Sequence, residues 1–233
     1  MKDEKYIATD PRFSAKWENF WYHYKWHTIV SLFLVFVLLF LGLQSCQKQE
    51  YGYFMMYAGP KSLSTAETVK MADYLEKVAE EAGLEPGKQA SFSYLYINLD
   101  KDSGTGGLTS QNLQVFDDDI MTGKSTLLLI SPALYARLIE SDGGIIALDE
   151  YLPQTDHSIR FADDTHRGIL LSSLGLYQQE GFSSLPADTV VCLRSPVSLG
   201  NLFRPEKAQK EFQNYETLFR ALLAIPFIPA EAE

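Results

Sequence analysis

Two hydrophobic rhythms divide this 233-residue chain. Residues 28–45, TIVSLFLVFVLLFLGLQS, carry no ionisable side chain. As a helix rising about 1.5 Å per residue, this run covers roughly 27 Å, close to the hydrocarbon thickness of a bilayer. A helix apolar on every side suits lipid better than water. Beyond it, segments of helical period alternate with segments of strand period. Strands are predicted at Tyr51–Tyr57 (YGYFMMY), Ser91–Asn98 (SFSYLYIN), Ser125–Ile130 and Thr189–Leu193. Briefer extended runs fall at Ile145–Leu148, Ser158–Ala162 and Gly168–Leu171.

The clearest helix is Ser64–Gly83. Ser64 with Glu67 three residues on makes a capping-box pattern, Val69, Met71, Ala72, Leu75, Val78 and Ala79 form an apolar stripe, and Gly83 marks the end. A second helix is predicted at Thr109–Met121. A third opens at Pro132, runs to Glu140 and breaks at Gly143-Gly144, ahead of a turn at Asp149–Pro153. The last covers Pro205–Leu223, with Phe212, Tyr215, Leu218, Phe219 and Leu222 on one side. Alternation of this kind predicts an α/β layered sheet, not a helical bundle or a β-sandwich.

The flanks of the apolar run set a direction. Lys2, Lys5, Arg12, Lys16 and Lys25 precede it, whereas only Lys48 follows closely, offset by Glu50. Basic residues beside a membrane segment stay cytoplasmic, so the N-terminus is expected inside and the remainder outside. The expected organisation is residues 1–27 as a cytoplasmic and interfacial segment, 28–45 as a single transmembrane helix, and 46–233 as an extracytoplasmic α/β domain. Phe13, Trp17, Phe20, Trp21 and Tyr24 recur at helical spacing ahead of the span, with Asp10-Pro11 as a plausible start. Residues 11–26 therefore read as a helix at, or entering from, the inner interface. Trp17, Trp21, Tyr24 and Trp26 are its membrane-interface residues, forming an aromatic belt that sets depth. The competing use of that face is docking against another membrane protein.

Cys46 offers a rival anchor. Leu43-Gln44-Ser45-Cys46 resembles a bacterial lipobox, which would make the first 45 residues a removed signal and Cys46 the lipidated residue. The long aromatic stretch before the apolar run favours an uncleaved signal-anchor instead. Cys192, the other cysteine, lies in the apolar run TVVCL and reads as a small buried hydrophobe. No cysteine-based zinc site or disulfide framework is expected. After residue 45 there remain 15 basic and 26 acidic residues, from totals of 20 and 30 less the 5 and 4 before it. That net of −11 disfavours nucleic acid and anionic lipid as partners of the outer part.

Several chemical motifs fail on inspection. Gly123-Lys124-Ser125-Thr126 ends like a phosphate-binding loop, but Asp118 stands where the leading glycine belongs, and STLLLI reads as a strand where a helix is required. Asn98, Asp100 and Asp102 have calcium-loop spacing, yet Ser103 and Thr109 occupy the positions of the obligatory Gly and Glu. Asp156, His157, Asp163, Asp164 and His166 cluster in sequence without a recognised metal spacing, and read as a solvated loop. No Gly-x-Ser-x-Gly elbow is present. No catalytic residue and no cofactor are assigned.

One stretch carries a family likeness. Asp119-Ile120-Met121-Thr122-Gly123, the strand STLLLI, and then SPALYARLIESDGGIIALDEYLP (Ser131–Pro153) resemble type 2 extracellular (periplasmic) solute-binding proteins. In that family a helix ends near a glycine and a strand follows. A short helix then leads through a glycine turn to an aliphatic-Leu-Asp-x-Tyr-Leu segment. Gly168–Leu171 and Thr189–Leu193 fall in compatible order. The roughly 188 outer residues are too few for two lobes closing on a ligand. The resemblance therefore implies a reduced, membrane-tethered relative whose cleft is vestigial or turned to a protein partner. The combined expectation is a non-enzymatic, single-pass protein of the cell membrane, its outer domain binding a membrane or envelope protein or a small-molecule ligand, with a transport-accessory role. An extracytoplasmic hydrolase, or a Cys46-anchored solute-binding lipoprotein, is the alternative. Intact mass spectrometry of membrane-extracted protein is expected to give the full 233-residue chain. A lipid-modified chain beginning at Cys46 would decide for the lipoprotein.

Overall fold

The computed structural model describes residues 13–46, 52–84, 89–99, 106–152, 159–196 and 205–228. They belong to two compact units, Met1–Gln49 and Glu50–Glu233.

The first unit is one helix, α1 (Phe13–Cys46), of 34 residues. The interfacial helix and the span predicted from the sequence are continuous, because no Gly or Pro falls between Phe13 and Leu41 to bend them. The stretch long and apolar enough to cross a membrane is Phe20–Phe40, 21 residues, none buried. Leu32, Phe33, Leu34, Val35 and Phe36 follow one another and are all exposed. Five successive residues pass more than once around a helix, so no polar side exists there.

The second unit is mixed α/β. Its strands are β1 (Tyr53–Gly59), β2 (Ala90–Tyr96), β3 (Leu127–Ile130), β4 (Ile169–Leu170) and β5 (Val190–Leu193), in the spatial order β2-β1-β3-β5-β4. β1 is parallel to β2 and β3, while β5 runs antiparallel to β3 and β4. Helices α2 (Thr65–Glu81) and α3 (Gly106–Thr122) are the crossovers of the parallel part. Alternation along β1 sorts its side chains. Tyr53, Met55 and Tyr57 join Met71 and Leu75 of α2, whereas Met56 and Ala58 join Phe116 of α3. α4 (Pro132–Glu140) adds Leu134, Tyr135 and Leu138 to the α3 face, and α5 (Pro205–Leu223) adds Phe212, Leu218, Phe219 and Leu222 to the α2 face. The sheet is thus covered on both sides. For that reason β1 and β3 read as unbroken apolar runs.

The predicted layered architecture is present, and so is the capping box: the Glu67 amide donates to Ser64 Oγ at 3.3 Å and the Ser64 amide to Glu67 Oε2 at 2.7 Å. Two expected extended runs shrink to single bridges, Ile145 with Arg194 and Phe161 with Ile169. Residues 171–184 fold instead as three 3-10 turns that bury Leu171, Leu174, Leu176 and Phe182. Gly175 is needed in the second of them, since a Cβ there would lie 2.4 Å from the Ile225 carbonyl oxygen.

Arg194, just past β5, is buried, with 3% of its surface exposed. Its guanidinium donates to the carbonyls of Ser125 at 3.0 Å, Gly143 at 3.3 Å and Ile120 at 2.5 Å. Ile120 lies in the last turn of α3, where carbonyls lack partners and attract a cation. One side chain therefore ties α3, the turn before β3 and the turn after α4. Arg194→Met is expected to cost about 2–4 kcal/mol by leaving three carbonyls unpaired. The check is a lower denaturation midpoint at unchanged m-value.

Candidate functional site

Of the acidic and histidine residues picked out by the sequence, Asp163, Asp164 and His166 lie on the loop that enters β4. Its ends are joined by the bridge of Phe161 with Ile169 and by the Ala162 amide donating to the Gly168 carbonyl at 2.9 Å. Gly168 lets this loop pass close to α4: a Cβ would lie 2.4 Å from a Val190 methyl and 2.7 Å from the Tyr135 ring. That closeness brings the Tyr135 hydroxyl within 2.9 Å of Asp163 Oδ1, to which it donates. The Thr165 hydroxyl and amide donate to the same oxygen at 2.6 and 3.0 Å. Burial pushes the Asp163 carboxyl up, but the bonds from Thr165 and Tyr135 outweigh it, and its pKa falls below the ordinary 3.8. Burial also holds the Tyr135 phenol far above its usual value, so it stays protonated.

His166 takes a left-handed backbone, φ 54°, and its Nδ1 lies 2.6 Å from Asp149 Oδ1. Its ring stacks on Phe161 with centroids 4.0 Å apart, and its carbonyl accepts the Leu148 amide at 2.8 Å. An Asp–His pair is the orienting half of a nucleophilic triad. Among the described residues, however, no serine, threonine or cysteine hydrogen-bonds to that ring. Cys192, beneath the loop, is fully buried, and its thiol is pushed well up by desolvation and by Asp163. Asp164 is exposed, and Asp156 and His157 lie outside the described residues. No group of three or more His, Cys, Asp or Glu that could hold a metal occurs among the described residues. What the geometry does is fasten the loop to α4 and to the 3-10 turn Asp149–Tyr151. That turn is itself held to α5, where Tyr151 bonds Glu216 and lies under Arg220, 4.7 Å from its ring centroid.

At the phosphate-loop lookalike, strand β3 follows Lys124-Ser125 where a helix would be required. The Ser125 amide and hydroxyl are both taken by Asp119, at 3.1 and 3.0 Å. A carboxylate already occupies the donors that a phosphate would need.

A different surface remains open. Ser62, Tyr94, Leu95, Tyr96, Leu108 and Asn112 line a cavity of about 540 Å³ beside β2 and the start of α3. Tyr94 and Leu108 are exposed, at 38% and 52%. Apolar side chains left in water around a concavity mark a binding surface more often than an isolated exposed Leu does. The sequence offered a signal in SFSYLYIN, a strand pattern with no charge on either face, but did not reveal that β2 would stand at the sheet's edge. In the other unit, Trp21, Tyr24 and Trp26 are exposed, as an aromatic belt requires, and Phe20 stacks on Tyr24 at 5.4 Å. The side chains of Trp17 and Cys46 lie outside the described residues.

No protein-family model, no curated protein and no solved structure matches this chain.

Removing the Asp163 carboxylate tests its role in fastening the loop. Because the folded pKa lies below 3.8, the stabilisation is complete above about pH 4 and fades as pH falls through the folded value. Asp163→Ala is expected to lose about 1–2 kcal/mol at pH 7. In urea melts across pH, the gap from the native chain should narrow only below that range.

Proposed function

We propose that this chain is a non-enzymatic single-pass membrane protein whose outer α/β domain binds a partner protein of the cell envelope, in a transport-accessory role. The reading rests on one observation above others: a 21-residue apolar helix with no buried side chain precedes a domain built on one five-stranded sheet. Lys and Arg ahead of the helix orient the N-terminus inward. The single sheet gives a solute no second lobe, among the described residues, to close upon it. An open apolar surface beside Tyr94 and Leu108 suits a macromolecular contact better than an enclosed ligand site. The polar loop at Asp163 and His166 spends its hydrogen bonds on Thr165, Tyr135 and Asp149, which argues against the hydrolase alternative.

The likeness to type 2 extracellular solute-binding proteins is supported by the order of elements. α3 leads to Gly123, then come β3, the short α4, the turn with Gly144 at φ 74°, and Leu148-Asp149-Glu150-Tyr151-Leu152. The acidic outer domain is consistent with a partner that is neither nucleic acid nor an anionic lipid surface.

Chemical crosslinking in intact membranes, followed by affinity purification of the full chain, tests the proposal. A discrete protein adduct through the outer domain is expected, reduced several-fold by Leu108→Glu, with no small solute raising the melting temperature. Stabilisation by a solute without any adduct would reverse the reading toward solute binding.

A further inference from the structure

β2 is an edge strand, pairing with β1 on one side and with no strand on the other among the described residues. Backbone direction along it is fixed by two bonds. The Gln89 carbonyl accepts the Gly52 amide, and the Ile97 amide donates to the Gly59 carbonyl, so odd-numbered residues face β1. Even-numbered residues therefore turn their amides and carbonyls outward. At the end of the strand that row is closed, because Asn112 Nδ2 donates to the Tyr96 carbonyl at 2.8 Å. Ala90, Phe92 and Tyr94 are left, a row with Phe92 at its centre.

Exposed edges are ordinarily guarded by Lys, Pro, a bulge or an inward charge. From Gln89 to Leu99 the sequence is QASFSYLYINL, without a charged residue or a proline, and β1 and β2 pair in unbroken register from Tyr53–Ala90 to Gly59–Tyr96. This edge has none of those guards.

We propose that β2 pairs antiparallel with β2 of a second copy of the chain, the two-fold axis passing beside Phe92. The inference rests on the partner-binding reading and names the partner. Two arguments select a second copy. An antiparallel register with Phe92 opposite Phe92 sets Ala90 opposite Tyr94 in both directions, so the whole open row is satisfied at once. Two copies held in one membrane also meet at raised effective concentration. The product is a continuous ten-stranded sheet, two sets of the five observed.

The register makes a sharp test. It sets Ser91 of one copy opposite Ser93 of the other as a non-hydrogen-bonded pair, Cα atoms about 4.5 Å apart, inside the range of about 4.4–6.8 Å that a disulfide spans. Both serines are partly exposed. Two differently tagged full chains, one Ser91→Cys and one Ser93→Cys, are coexpressed in membranes and oxidised, and the linked peptides are located by mass spectrometry. That separates these links from any made by native Cys46. The mixed 91–93 link is expected at five-fold or more over either same-site link, whose Cα atoms lie beyond disulfide reach in this register. Tyr94→Lys, at an exposed position, should abolish the mixed link while leaving thermal unfolding within a few degrees.

Equal yields of all links would show random collision and overturn the proposal. So would absence of the mixed link in chains that fold normally, or its persistence in Tyr94→Lys. If the envelope adduct of the preceding experiment forms with a different protein while these links fail, the second copy is the wrong occupant and the partner-binding reading stands.

Discussion

Apolar surface left in water costs about 25 cal/mol per Å², and Phe20–Phe40 shows leucine, phenylalanine and valine on every side of α1. No rotation of the helix hides them, because there is no polar side to turn outward. A bilayer removes the whole cost, and at about 1.5 Å per residue the stretch is long enough to cross one. Backbone groups inside lipid must be satisfied within the segment, which an unbroken helix achieves. Trp21, Tyr24 and Trp26, in the first two turns of that stretch, are exposed, each with an apolar body and a polar edge.

The α/β unit meets the same demand by other means. Its central strands, β1 and β3, are covered on both faces by helices, and their side chains alternate between two separate cores. Burying polar groups there requires specific partners. Tyr215 gives one example: its hydroxyl accepts the Phe54 amide at 2.9 Å, and burial pushes the phenol up to about 12. Arg194 gives another, its cation distributed over three carbonyls with Asp119 close enough to support its charge. These fixed centres leave the domain's uncommitted chemistry at its margin. Among the described residues, β2 has an uncharged edge that pairs with no strand, and a cavity lies beside it.

Much of this was legible in the sequence where the signal is local. Pro132 and Pro205 start α4 and α5 where the first-turn preference puts them, and Ser64 with Glu67 announces α2. Contacts distant along the chain were not legible. Nothing local says that TVVCL will run antiparallel, or that Arg194 will reach Ser125 and Ile120 across more than sixty residues. The apolar residues of 171–184 follow neither the helix nor the strand period, because they fill the core from 3-10 turns. The candidate site suffered most. Asp163 and His166 stood out by composition yet serve the loop, whereas Tyr94 and Leu108 gained interest only when their elements came together at a sheet edge.

We infer that α1 crosses the bilayer once, with its basic end inside. The direct measurement is labelling of introduced cysteines by a membrane-impermeant thiol reagent in sealed cells, in a chain freed of Cys46 and with Cys192 buried, comparing a cysteine placed at residue 2 with one at the exposed position 108. Modification is expected at 108 without lysis and at 2 only after it. Modification at 2 but not 108 would invert the topology, and modification of both in sealed cells would show that α1 does not span the membrane.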